Sequence, residues 1–175
     1  MKKPIIWRDV HMLKTGDTAP DFTLKSETGE SFSFHNHLEN DDRFHLLVFF
    51  RGEWCPVCND QLKEFEQNID TFNELNTHIL AISTDEEQNL TKMKKNHSLS
   101  FPVFSDPERT AGEPYGVQYH NGKLYDDHGE HGEPALFLVD DQKRVVYFDI
   151  QTGPFGRPTA EDLRKTIKYI KKTLR

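Results

Sequence analysis

Five consecutive apolar residues, Leu46-Leu47-Val48-Phe49-Phe50, lead directly into Trp54-Cys55-Pro56-Val57-Cys58, and behind the two cysteines the pattern turns helical. A run that is apolar at every position fits a strand buried on both faces, as in the middle of an α/β sheet. Beyond it, Cys58, Leu62, Phe65, Ile69 and Phe72 recur at steps of four and three. That spacing predicts one helix over roughly 57–74 with this stripe facing the core. A buried strand, a tight turn carrying the only two cysteines of the chain, and an amphipathic helix leave few architectures open.

The same junction carries chemistry. A thiol at a helix start feels unsatisfied N–H donors and the positive end of the macrodipole, both of which favour thiolate. A second thiol three residues on lies one turn away, within reach of any mixed disulfide or sulfenic acid formed on the first sulfur. Two other readings stay open. A structural disulfide belongs to small Cys-rich secreted chains, whereas this one has 175 residues and two cysteines. Half a zinc site would need histidines or carboxylates to complete it.

At 175 residues and 20.4 kDa the chain fits one domain with a real core. Twenty-nine acidic against twenty-two basic residues give a net charge of −7, which argues against a nucleic-acid or anionic-membrane surface. The N-terminal residues have too short an apolar stretch for a signal peptide or membrane span, so a cytoplasmic protein is expected, its cysteines resting as a dithiol. Residues 1–14 read as an N-terminal arm with Trp7, Met12 and Leu13 as docking side chains, and 15–175 as a single domain.

Along that domain, Phe22-Thr23-Leu24 and Ser31-Phe32-Ser33-Phe34 alternate around Glu27-Thr28-Gly29-Glu30, predicting a β-hairpin, and 35–43 reads as a polar loop. His78–Ser83 is a second buried strand, followed by a polar helix near 86–96 with Leu90 and Met93 on one side. Residues 101–104 are extended, and 108–116 are expected to hold one or two helical turns. The stretch 116–133, rich in Gly, Asp and His, reads as a loop with room for a short hairpin. Residues 134–139 and 145–150 form a further hairpin, and Thr159 caps a last helix bearing Leu163, Ile167, Ile170 and Leu174. The sum is a βαβ unit joined to a ββα unit, an α/β thioredoxin-like fold with a central mixed sheet flanked by helices.

With these segments in view, the sequence resembles the peroxiredoxin-like branch of the thioredoxin superfamily, the alkyl hydroperoxide reductase and thiol-specific antioxidant family. The resemblance rests on 16–24, on Phe49-Phe50-Arg51-Gly52-Glu53-Trp54-Cys55-Pro56-Val57-Cys58, on Ala81-Ile82-Ser83, on 101–106, on Tyr115-Gly116-Val117 and on 134–140. It implies a thiol-dependent peroxidase or disulfide reductase. Two positions depart from the family pattern. Where peroxiredoxins place a Thr or Ser three residues before the peroxidatic cysteine this chain has Cys55, and where they place an Arg before the strand after the long loop it has Glu133-Pro134. Arg51 is the alternative cation.

At the turn itself the chain is similar to thioredoxin, which implies that Cys55 attacks from an exposed position and that Cys58, shielded and with the higher thiol pKa, resolves. Pro134 then matches the thioredoxin-fold cis-proline. If peroxide is the substrate, the peroxiredoxin alignment exchanges the cysteines' roles. Trp54 either covers the sulfur or simply packs, and Pro56 supports the turn. His120, His128 and His131, with Asp126, Asp127, Glu130 and Glu133, crowd the long loop. His128-x-x-His131 with the cysteines is a conceivable Cys2His2 zinc site, although such loops are more often solvated. Arg157 reads as a surface residue of a tight turn in preference to an anion contact, and His35, His37, His45, His78 and His97 read as surface.

The expectation is therefore a cytoplasmic oxidoreductase cycling a Cys55–Cys58 dithiol and disulfide to reduce hydroperoxides or disulfides, supplied by an external dithiol such as a thioredoxin-like protein or a small thiol. It needs no cofactor and no metal, and binds neither nucleic acid nor membrane; a homodimer is possible. A non-catalytic redox-sensing or zinc-binding module on the same scaffold is the alternative.

Overall fold

The computed structural model describes residues 12–121 and 128–174. In chain order the elements are β1 (Thr23–Ser26), β2 (Ser31–Ser33), α1 (Phe34–Glu39), β3 (Phe44–Phe50), α2 (Pro56–Gln67), α3 (Ile69–Glu74), β4 (Thr77–Ser83), α4 (Glu87–Asn96), β5 (Val103–Ser105), β6 (Tyr119–His120), β7 (His131–Gly132), β8 (Ala135–Val139), β9 (Val145–Ile150) and α5 (Ala160–Thr173). Seven strands form one mixed sheet in the order β2-β1-β5-β4-β3-β8-β9. The central strand β3 is buried along its whole length, parallel to β4 on one side and antiparallel to β8 on the other. This is the thioredoxin-like α/β arrangement that the sequence predicts.

Because successive side chains of a strand point to opposite faces, β3 serves two cores. Leu46, Val48 and Phe50 meet Leu62 and Phe65 of α2, Leu90 and Met93 of α4, and Leu163 and Ile167 of α5. Leu47 and Phe49 meet Phe22, Phe34 and Leu38 near the N-terminus together with Tyr115 and Phe137. Each fully buried side chain of this kind contributes about 1.5–3 kcal/mol. Helix α5 starts on the capping box that Thr159 predicts, with Thr159 and Asp162 exchanging hydrogen bonds.

Three local expectations need correction. The segment 35–43 opens with a helix, α1, because Phe34 and Leu38, four residues apart, bury one face of it; two apolar positions are too few to show a period. The helix expected over 57–74 breaks into α2 and α3 at Asn68, whose side-chain amide donates to the Glu64 carbonyl at 2.8 Å and competes with the backbone ladder. The stripe runs across the break. Residues 108–116 form turns and no helix, since Arg109 sits at φ +58° while Asp106 Oδ2 collects the amides of Ala111 and Gly112 at 3.0 Å each.

The pair β6–β7 supplies the short hairpin within 116–133. Near the N-terminus Met12 is exposed and Leu13 packs against the second core, while Trp7, like Asp126 and Asp127, lies outside the described residues. Among the described residues no helix is long and apolar enough to cross a membrane.

Candidate active site

The cysteines sit where β3 ends and α2 begins. Cys55 is the N-cap, with φ −88° and ψ 110°, and its Sγ accepts the Cys58 amide at 3.3 Å, so a thiol does what Ser or Thr ordinarily does there. Pro56 follows at the first helical position, where a missing N–H costs nothing. The Asn59 side chain donates to the carbonyls of Glu53 and Cys55 at 2.7 and 2.8 Å, closing the turn from inside. From β4, Ser83 Oγ donates to the Arg51 carbonyl at 3.2 Å, and Asp85 accepts the Glu53 amide at 2.8 Å. Gly52 is obligatory, because a Cβ there would lie 2.4 Å from Trp54 Nε1.

Both sulfurs are enclosed: Cys55 is 1% exposed and Cys58 0%. The expected exposure of Cys55 is thereby corrected, and the reason is the segment 153–158. From it Arg157 reaches inward, donating from Nη2 to Cys58 Sγ at 3.1 Å and lying 3.9 Å from Cys55 Sγ. Arg157 is itself held by the Pro154 carbonyl at 2.8 Å and Gln61 Oε1 at 3.0 Å. The surface-turn reading of Arg157 is therefore wrong. Its contact spans about a hundred residues of sequence, and the one local hint is an arginine in a Gly- and Pro-bounded turn. Gly156 makes that turn at φ +84°, with Gln151 Oε1 only 2.6 Å from where a Cβ would stand.

Around the sulfurs, ionisation is split unevenly. Cys55 is lowered to about 5, first by the hydrogen bond from the Cys58 thiol, then by the Cys58 amide, Arg157 and Arg51, against the opposing effect of burial. Cys58 is pushed up by burial above all, and further by its bond to the Cys55 thiolate. One negative charge thus resides on the pair, carried by Cys55 and steadied by Cys58 S–H and the Arg157 guanidinium.

Arg51 divides its groups. Its amide donates to Cys58 Sγ at 3.3 Å, while its buried guanidinium lies 3.3 Å from Glu133 Oε2 and 3.1 Å from His131 Nε2, with Cζ 4.8 Å above the Trp54 ring. Trp54 stacks on His128 at 4.1 Å and meets His131 edge-on at 4.9 Å. The histidine loop does therefore reach the cysteine turn, through Trp54 and Arg51. The conceivable Cys2His2 zinc site is not assembled, since His131 holds Nδ1 on the Gly129 carbonyl at 2.9 Å and turns Nε2 to accept from Arg51 Nε at 3.1 Å. Among the described residues the group of side chains that converges as metal ligands is His37, Asp41, His45 and His78, at the other end of β3. His45 is fully buried, so its surface reading is corrected, while His35, His37, His78 and His97 are partly exposed.

Pro134 stands just before β8, beside the end of β3, but its peptide bond is trans, contrary to the expected cis form. The trans form, favoured by about 0.5–1 kcal/mol for X–Pro, accompanies a Glu133 amide bonded to the Gln118 carbonyl at 2.7 Å and a Glu133 carboxylate on Arg51. At the position where the resemblance expects a family arginine, the chain thus carries the acid that neutralises Arg51, and Arg157 supplies the cation from elsewhere.

Comparison with known proteins bears on this arrangement. The model of the AhpC/TSA family matches residues 15–148. Peroxiredoxin Bcp of Escherichia coli K12 is 29% identical over 144 residues, covering 81% of this chain and 89% of its own. Putative peroxiredoxin ycf42 of Pyropia yezoensis is 26% identical over 167 residues, 90% of this chain and 80% of that protein. Among solved structures, peroxidoxin BcpB from Mycobacterium tuberculosis superposes with a TM-score of 0.74 at 23% identity, covering 92% of this chain and 98% of that one. Peroxiredoxin 6 of Arenicola marina gives 0.78 at 17% identity, over 93% of this chain and 76% of that one. These two likenesses show the shared fold.

Proposed function

The chain belongs to the AhpC/TSA family, and from that premise we propose that it is a thiol-dependent peroxidase working through Cys55 and Cys58. The observation that carries this reading is the sulfur pair under the Arg157 guanidinium, with Cys55 ionised at neutral pH. The Cys55 thiolate attacks the near oxygen of a hydroperoxide. The O–O bond breaks, the far oxygen leaves as an alcohol or water once protonated, and Cys55 becomes a sulfenic acid. Cys58 then gives up its proton and attacks that sulfur, the sulfenic oxygen departs as water, and the Cys55–Cys58 disulfide forms. An external dithiol, a thioredoxin-like protein or a small thiol, returns both sulfurs to the reduced state by exchange. Arg157 stabilises the negative charge before and during attack and offers N–H groups to the departing oxygen.

A second order of attack has its own support. Arg157 lies nearer Cys58 than Cys55, and the Arg51 amide also points at Cys58. If Cys58 attacks first, Cys55, in the position of the family's Thr, becomes the resolving thiol. Stopped-flow oxidation by hydrogen peroxide of Cys55→Ser and Cys58→Ser decides: the variant that loses the fast phase has lost the attacking sulfur, and if neither loses it both assignments fail. Beside the cysteine turn lies a shallow groove lined by Val57, Gln61, Phe155 and Arg157, where Phe155 is 74% exposed. The non-catalytic zinc module has nothing in its favour at this end of the sheet, where the candidate histidines are otherwise engaged.

A further inference from the structure

We propose that His37, Asp41, His45 and His78 form a binding site for a divalent transition-metal ion of the zinc class, separate from the cysteine pair. Three elements build it. His37 lies on α1, Asp41 follows that helix, and His45 and His78 are register partners on the parallel strands β3 and β4. One ligand atom from each residue falls within 4.8 Å of all the others. Three of those spacings are already close to the edge of a tetrahedron around zinc, about 3.3 Å for bonds near 2.0 Å. His37 Nε2 is 3.0 Å from His45 Nε2, and Asp41 Oδ2 is 3.4 and 3.6 Å from the two. A small rotation of the half-buried His78 completes the set.

The donor types choose the ion. Three imidazoles and one carboxylate suit zinc, cobalt, nickel or copper, whereas calcium and magnesium ask for six or more oxygens. His45 is fully enclosed, a burial of an imidazole that an apolar residue of similar size would avoid, and its Nε2 faces His37 and Asp41. Its ring stands edge-on to Phe34 at 6.0 Å, so one wall of the site is dry.

A cation already occupies part of the place. Arg43 pairs with Asp41 Oδ2, and its Nη2 is 3.5 Å from His78 Nδ1. A metal would displace it, and the partly exposed Arg43 side chain has solvent to swing into. The bond from the Arg43 backbone amide to Asp41 Oδ1 at 3.0 Å would keep the carboxylate oriented, as an outer partner does at metal sites.

The test uses the full-length chain carrying both Cys55→Ser and Cys58→Ser, so that no thiolate competes for metal. It is dialysed against Zn2+ and its metal content counted, with Co2+ absorption as a report of tetrahedral geometry. One ion per chain is expected, with affinity falling by ~100-fold or more on adding His37→Gln or His78→Gln. Arg43→Gln keeps all four ligands and removes the competing charge, so it should tighten binding by ~10-fold; a damaged fold would not produce that sign. Failure to take up stoichiometric metal, uptake indifferent to both histidine variants, or binding that Arg43→Gln leaves unchanged or weakens overturns the proposal.

Discussion

Strands β3 and β4 run side by side for seven residues and finish in unlike chemistry at their two ends, about 20 Å apart. At the C-terminal end most of the chemistry is compact in sequence: Arg51, Trp54, Cys55 and Cys58 fall within eight residues, with Arg157, His128, His131 and Glu133 brought in from afar. At the N-terminal end nothing is compact. His37, Asp41, His45 and His78 spread over three elements, and only the parallel register of β3 on β4 sets the last two side by side. The first end uses the start of a helix, where N–H groups and a guanidinium favour an anion. The second uses strand beginnings and enclosed imidazoles to favour a cation. A single rigid sheet thus holds two sites of opposite electrostatic preference without mutual interference.

That independence can be broken most severely at the sulfurs. Replacing the attacking cysteine, Cys55→Ser on the first reading, should slow peroxide consumption by ~10⁴-fold or more, measured by steady-state turnover with a dithiol donor. Replacing Arg157 strikes the long-range contact made to the sulfurs themselves. Arg157→Met should reduce the oxidation rate by ~10²-fold, about 2.7 kcal/mol of transition-state stabilisation. The pH profile carries the sign. A thiolate rate rises with pH through about 5 and is flat above, given the depressed Cys55 value. Without the guanidinium the inflection should move upward, and an unmoved inflection would mean that Arg157 does not support the thiolate.

Next in size is Gly156→Ala. The new Cβ would meet Gln151 Oε1 at 2.6 Å in a backbone with φ +84°, a conformation costing an L-residue about 1–2 kcal/mol. The turn must shift, and Arg157 with it. A ~10-fold loss of rate with the same direction of pH shift as Arg157→Met is expected; a loss with no shift would show that the glycine matters to folding alone.

What the chain discloses before folding follows the same division. The buried strand 46–50, the stripe from Cys58 to Phe72, the 134–150 hairpin and the Thr159 cap are local patterns, and local patterns survive in sequence. The cysteine turn is legible for that reason. Arg157 is not, because its meaning depends on where α5 starts relative to α2. The enclosure of Cys55 is hidden by the same fact, since the covering segment is the one that delivers Arg157. Short α1 shows too few apolar positions for a period, so His37 reads as loop and its partners as scattered. The register His45 to His78 is a property of strand pairing, which no spacing along the chain encodes.

The smallest effect is the sharpest check on the two-ended picture. His37→Gln in the chain with both cysteines intact removes a ligand from the N-terminal end and leaves the sulfur turn untouched, the two being separated by the length of β3. Peroxide oxidation by this variant should stay within about 2-fold of the parent, since coupling between sites of this separation needs an element with two arrangements, and β3 is locked on both sides by β4 and β8. A rate that followed occupancy of the histidine cluster would mean that β3 transmits strain from one end to the other, and the strand would then be a lever joining the two chemistries.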